Sequence, residues 1–299
     1  MKFFSRTPFF RMLWATMLGL GLSGCFEMSV VLGVRKDGSG VVHSRNYLDA
    51  SLAKMMGDTS EDPIPTPTAE EADEMAAMLG EGVTVESVRK SENKAGWPGY
   101  EVVFAFSDIN TLKLAPDAFA GKTKANKALK GSVPNEDSAS GMVFQPEDKF
   151  VTFQMKDGAL QVWVPEPNNS LGEVGQIVPG LGNGGESGED EPTPFAKMAS
   201  GDPEGQIALQ MMSTMTKGAR IGFFIQPIDA VAESNAKHRN GNLITILMAD
   251  LTRLVEKPEN FALMDEISKE PDEAKQMDAF GRIDGIDIDL QRPITVKFE

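Results

Sequence analysis

Met28-Ser29-Val30-Val31-Leu32-Gly33-Val34, then Lys36-Asp37-Gly38-Ser39-Gly40, then Val41-Val42-His43-Ser44-Arg45-Asn46-Tyr47-Leu48, read as strand, turn and returning strand. Asp-Gly between two apolar runs is a strong hairpin signal, because glycine supplies the positive φ that a tight turn needs. The same pattern recurs. Val83-Thr84-Val85-Glu86-Ser87-Val88 alternates, Lys94-Ala95-Gly96-Trp97-Pro98-Gly99 turns, and Tyr100-Glu101-Val102-Val103-Phe104-Ala105-Phe106 returns. Phe150 to Met155 alternates with period two, Lys156-Asp157-Gly158 turns, and Ala159 to Val164 returns. A fourth hairpin pairs Arg220-Ile221-Gly222-Phe223-Phe224-Ile225 with Leu243 to Met248, and Asn240-Gly241 reads as a type I′ turn.

Helical signals separate these hairpins. Residues 49–56 read as a short helix. Thr68 with Glu71 three residues on is a capping box for the next, whose Met75, Met78 and Leu79 share a face. A helix over 203–217 carries Ile207, Leu209, Met211, Met212 and Met215, and helical patterns dominate 250–281. The end is extended. Ile283, Ile286, Ile288 and Leu290 interleave with Asp284, Asp287 and Asp289, which predicts a strand with its aspartates outward. The expected fold class is α+β, a mostly antiparallel sheet built from hairpins with helices packed on one face. Residues 165–194, rich in glycine, proline and acids, bury too little apolar surface to offset their ordering entropy and read as a flexible linker or insertion. The expected organisation is therefore a leader at 1–24, a first part of the α+β domain at 25–164, the linker or insertion at 165–194, and a second part at 195–299. Insertion is favoured, because 141–164 is too short to close a core alone.

The leader is read from its order. Lys2, Arg6 and Arg11 precede an apolar run, 12–22, too short to span a bilayer, which takes about 20 residues. Leu22-Ser23-Gly24-Cys25 then resembles the bacterial lipobox. That resemblance implies a lipoprotein precursor, cleaved between Gly24 and Cys25, with lipid on the Cys25 sulfur and an acyl group such as palmitate on its new amine. Two or more chains anchor a protein stably where one does not. Phe26 stands where an aspartate would resemble an inner-membrane retention signal, so the implied address is the outer membrane, facing the periplasm.

Composition removes several function classes. Cys25 is the only cysteine among 299 residues, so no disulfide, thiolate metal site or iron–sulfur cluster can form within one chain. Taking Lys2, Arg6 and Arg11 from 29 basic residues leaves 26 against 44 acidic, a balance of −18. This argues against nucleic acid as a partner. No hydrolase elbow, zinc-protease or P-loop motif occurs. His43 and His238 read as structural or solvated, and no catalytic residue is assigned. Asp284 to Asp289 fails the calcium-loop pattern. Met211, Met212 and Met215 read as one core face rather than a copper site, so neither metal nor cofactor is expected. Trp97 and Tyr100 put two aromatics at a hairpin tip, where they are candidates for contact with a partner.

The order of lipobox, strand, Lys36-Asp37-Gly38-Ser39-Gly40, strand, then Gly82-Val83-Thr84-Val85 and Gly96-Trp97-Pro98-Gly99-Tyr100-Glu101-Val102-Val103-Phe104, resembles LppM-type bacterial lipoproteins, as does Asn240-Gly241-Asn242-Leu243-Ile244-Thr245. The likeness covers residues 25–112 and 218–250. It implies a lipid-anchored α+β domain in contact with lipid or glycolipid and without an established catalytic site. The chain departs from that pattern at 113–140, at 165–194 and in its helical tail, so no ligand residue is carried over. The expected function is non-enzymatic: a lipid-anchored binding or assembly module of the cell envelope, held by the lipid of Cys25 and presenting its domain to an envelope protein or lipid. The alternatives are a lipid or glycolipid carrier with an apolar cavity and, behind it, an enzyme with a carboxylate site.

Overall fold

The computed structural model describes residues 26–55, 64–114, 151–164, 194–270 and 272–299. The lipobox, Cys25 and the stretches 115–150 and 165–193 lie outside the described residues. Among those described, thirteen strands form two sheets, mostly antiparallel, accompanied by helices, as an α+β fold requires.

The opening hairpin is β1 (Phe26–Val34) and β2 (Gly40–Leu48). Its turn closes through Gly38 N–H to Arg35 O at 3.0 Å and Arg35 N–H to Ser39 O at 2.8 Å, with Gly38 at φ 85°. The second hairpin, β3 (Thr84–Glu92) and β4 (Pro98–Phe106), turns the same way over Asn93 to Trp97, with Gly96 at φ 80°. The larger sheet also takes β8 (Arg220–Pro227), β10 (Arg239–Asn240), β11 (Leu243–Asp250) and, against β11, β12 (Ile286–Ile288). Its order is β10-β11-β8-β1-β2-β4-β3. Within it β1 pairs antiparallel with β2 and parallel with β8, from Glu27↔Arg220 to Val34↔Pro227.

The smaller sheet, ordered β5-β6-β7-β13-β9, comprises β5 (Lys113–Leu114), β6 (Val151–Lys156), β7 (Ala159–Trp163), β9 (Val231–Ser234) and β13 (Ile294–Phe298). Asp157 and Gly158, both at positive φ, make the β6–β7 turn. Strands on either side of 165–193 thus share both sheets: β8 lies on β1, and β13 on β7.

Alternation sorts the larger sheet's residues into two faces. One face buries Val30, Leu32, Val34, Val42, Tyr100, Val102, Phe104 and Ile225 against Val151, Phe153, Leu160, Val162, Ile294 and Val296 of the smaller sheet. Helix α1 (Ala50–Met55) follows β2, and α2 (Ala69–Leu79) closes this core with Ala72, Met75, Ala76 and Leu79. Its capping box is formed: Glu71 N–H donates to Thr68 Oγ1 at 3.2 Å and Thr68 N–H to Glu71 Oε2 at 2.8 Å. Helices α3 (Pro194–Ser200), α4 (Pro203–Thr216), α5 (Leu251–Glu256), α6 (Pro258–Lys269) and α7 (Glu273–Phe280) build a second core around Phe261, Leu254, Met212 and Ile267. Phe26, Leu48 and Ala249, at one end of the same sheet face, pack against it.

Several expectations need correction. The segment from β8 to β11 is not a simple hairpin, because the chain leaves to supply β9 to the other sheet before β10 turns into β11. At that turn only Gly241 has positive φ, and it stands first between the paired Asn240 and Leu243, which fits type II′ rather than I′. Met78 is 46% exposed, off the face it was expected to share with Met75 and Leu79. The aspartates of the tail are not uniformly outward. Asp289 is fully buried and accepts backbone N–H groups of Lys237 at 2.7 Å and Gln291 at 3.0 Å. β12 ends at Ile288, and beyond its last residue alternation no longer sets the side that Asp289 takes. Asp289→Ala removes the buried acceptor of two part-buried backbone N–H groups and should lower stability by about 1–3 kcal/mol, whereas Asp287→Ala at the half-exposed neighbour should stay within about 0.5 kcal/mol. Urea unfolding of the two variants beside wild type measures this.

Candidate interaction surface

The second face of the larger sheet carries Glu27, Ser29, Val31 and Gly33 of β1, Val41, His43, Arg45 and Tyr47 of β2, and Gly99, Glu101, Val103 and Ala105 of β4. On it Tyr47, Glu101 and Val103 are buried, while Val31, Val41, His43 and Arg45 are partly exposed. At its centre is a carboxylate that its strand context does not announce. Arg45, Glu101 and Arg89 share one cross-strand row, Arg45 on β2, Glu101 on β4 and Arg89 on β3. Arg45 Nε donates to Glu101 Oε1 at 2.9 Å, and Arg89 Nε donates to Oε2 at 2.6 Å, with Arg89 Nη2 on the same oxygen. His43 Nδ1 lies 3.1 Å from Oε1. The Glu101 side chain is 3% exposed, while His43, Arg45 and Arg89 keep 30%, 40% and 64%. The basic side chains therefore roof the acid and present their own surfaces outward.

Burial alone raises the carboxyl's pKa. The hydrogen bonds from Arg89, Arg45 and His43, with the charge of Arg45, outweigh it and hold the group down to about 2. A carboxylate so placed is a weak base at neutral pH, where general-base catalysis wants a pKa near the working pH. With two arginines on one glutamate, the cluster keeps one surplus positive charge, a local exception in a chain of net charge −15.

This face continues to one end of the sheet. Tyr47, mostly buried, lies over Gly99, where an added Cβ would stand 2.8 Å from the Tyr47 ring. Ser91 Oγ donates to Tyr47 Oη at 3.3 Å. Beyond it the β3–β4 turn reaches across β2, and Asn93 Nδ2 donates to Glu27 Oε2 at 2.8 Å. Elsewhere, an open groove runs between the end of α2 and the start of β3, lined by Asp73, Met78, Glu81, Thr84, Thr111 and Lys113.

The aromatics singled out by sequence divide. Trp97 is half-buried on the turn. Tyr100 is not at the surface: it is 2% exposed, in step with Val102 and Phe104 on the core face. Burial, with the charge of Glu71, pushes its phenol up to about 12. Tyr100 is therefore withdrawn as a contact residue. His238 Nδ1 stands 4.0 Å from Asp287, and Asp284 pairs with Lys257 at 2.6 Å and with Arg253. Gly24 and Cys25 lie outside the described residues. The signal for the Glu101 cluster was present only as a lone acid in an apolar strand, and its partners come from two other strands.

Because the folded carboxyl titrates near 2 against an ordinary 4.5, its contribution is complete above about pH 4.5 and is lost as pH falls toward 2. Glu101→Gln should cost about 1.5–3 kcal/mol at pH 7. The gap from wild type should close between pH 4.5 and 2, as read by denaturant unfolding at stepped pH.

No family model matches the chain, and no curated protein matches it. Among solved structures, the chain is similar to the folded domain of Mycobacterium tuberculosis LppM, determined by NMR, with a TM-score of 0.28 and 9% identity over 74% of this chain and 81% of that one. A likeness at that score carries no argument about activity or ligand.

Proposed function

We propose that the chain is the precursor of a lipid-anchored envelope protein that works as a non-enzymatic binding or assembly module beside the membrane. The observation that carries this reading is that Phe26, the residue after the lipobox cysteine, already belongs to β1, an inner strand of the larger sheet. Lipid on Cys25 would join a sheet hydrogen-bonded on both sides of β1, rather than hang on a long tether. No helix among the described residues is long and apolar enough to cross a membrane. Attachment through lipid agrees with that.

The Glu101 face supports binding over catalysis, since its central acid is already committed to Arg45, Arg89 and His43. A partner protein or lipid would meet exposed guanidinium surface bordered by Val31 and Val41. The carrier alternative draws less support. The space between the two sheets is filled by Leu32, Val42, Val102, Phe104, Leu160 and Val296, each fully buried.

The address follows from Phe26, which implies the outer membrane and the periplasmic side. Separation of inner and outer membranes from a bacterial host on a density gradient tests it. Wild type should band with the outer membrane and Phe26→Asp should move to the inner. Cys25→Ala should retain its leader and fail to reach the outer membrane. A wild-type chain in the inner membrane, unmoved by Phe26→Asp, would contradict the address.

A further inference from the structure

We infer that the β3–β4 turn, Asn93 to Trp97, is a second membrane contact, in which Trp97 and Lys94 enter the phospholipid headgroup layer that holds the lipid of Cys25. This rests on the anchoring reading above and adds which side of the domain meets the bilayer. Cys25 is two residues before Glu27 in the chain, a reach of at most about 7 Å. Glu27 is bound directly to Asn93, so the turn and the anchor lie at the same end of the sheet.

The turn is a rigid presenter. Asn93 Oδ1 accepts the N–H groups of Ala95 at 3.0 Å and Trp97 at 2.9 Å, and Asn93 N–H donates to Trp97 O at 3.1 Å. Lys94, Ala95 and Gly96 are exposed and Trp97 is half-buried. No acidic residue occurs from 93 to 100 in a chain that has 44. Tryptophan favours the headgroup level, where its ring is buried and its N–H stays hydrated, and an adjacent lysine meets lipid phosphate. Glu92 and Asp49 flank the region, so the pull is local to the tip rather than a broad basic patch. A half-buried Trp97 adds little affinity by itself. Its effect is to fix the tilt of a domain already tethered by lipid.

The test uses the full lipidated chain, purified from bacterial membranes and inserted in phosphatidylcholine–phosphatidylglycerol vesicles, with Trp163→Phe so that Trp97 is the sole tryptophan after the leader is removed. Brominated phosphatidylcholine should quench Trp97 emission. It should leave Trp163 emission unchanged in the complementary Trp97→Phe chain. A vesicle-bound, lipidated chain whose Trp97 is unquenched, or whose Trp163 is quenched equally, would overturn the contact while leaving the anchor intact. A chain whose mass shows no lipid on Cys25 would overturn the anchoring reading and this inference with it.

Discussion

The position of β1 governs the rest of the structure. Nine residues, Phe26–Val34, are hydrogen-bonded to β2 on one side and β8 on the other. The first pairing is local, closed by a short turn. The second is parallel and joins residues roughly 190 apart in sequence, so it cannot form until β8 itself has been made. Loop closure of that length costs only a few kcal/mol, because the entropic penalty grows as the logarithm of loop length. It is offset by burying Val30, Leu32 and Val34. The tail repeats the tie, since β13 completes the smaller sheet between β7 and β9. The chain on either side of 165–193 is therefore interleaved in both sheets.

That arrangement leaves the larger sheet with two unlike faces. One carries two adjoining cores, a sheet-on-sheet layer with α2 at one end and a helical cluster at the other. On the opposite face Glu101 is kept ionised under Arg45 and Arg89, which spend part of their charge on it and offer the remainder outward. The end of the sheet nearest Cys25 holds Phe26 and Leu48 against the helices on the covered side, and Glu27 with the Asn93–Trp97 turn on the other. On the proposed reading, whatever fixes the end near Glu27 also fixes where the Glu101 face points.

What the sequence disclosed was what local chemistry decides. Asp37-Gly38, Asp157-Gly158 and the Thr68/Glu71 box each act within a few residues, and each forms as expected. Non-local choices were hidden. Nothing near β8 signals a parallel partner two hundred residues earlier, and nothing near Val231 signals that it leaves for the other sheet. Phase errors explain Tyr100 and Asp289. β4 starts at Pro98, so Tyr100 falls in register with Val102 rather than at a loop tip, and alternation ends before Asp289 turns inward to backbone donors. The Glu101 cluster was invisible because a row of three strands makes it, and only the register brings Arg45 and Arg89 to one carboxylate.

The central claim is the proposal that Cys25, the residue before Phe26 of β1, carries lipid. Intact mass spectrometry of the protein extracted from bacterial membranes tests it most directly. The account predicts a chain of 275 residues, the 299 less the 24 before Cys25, with the added mass of a diacylglyceryl group and an N-acyl chain. An unmodified chain that retains residues 1–24 would contradict it.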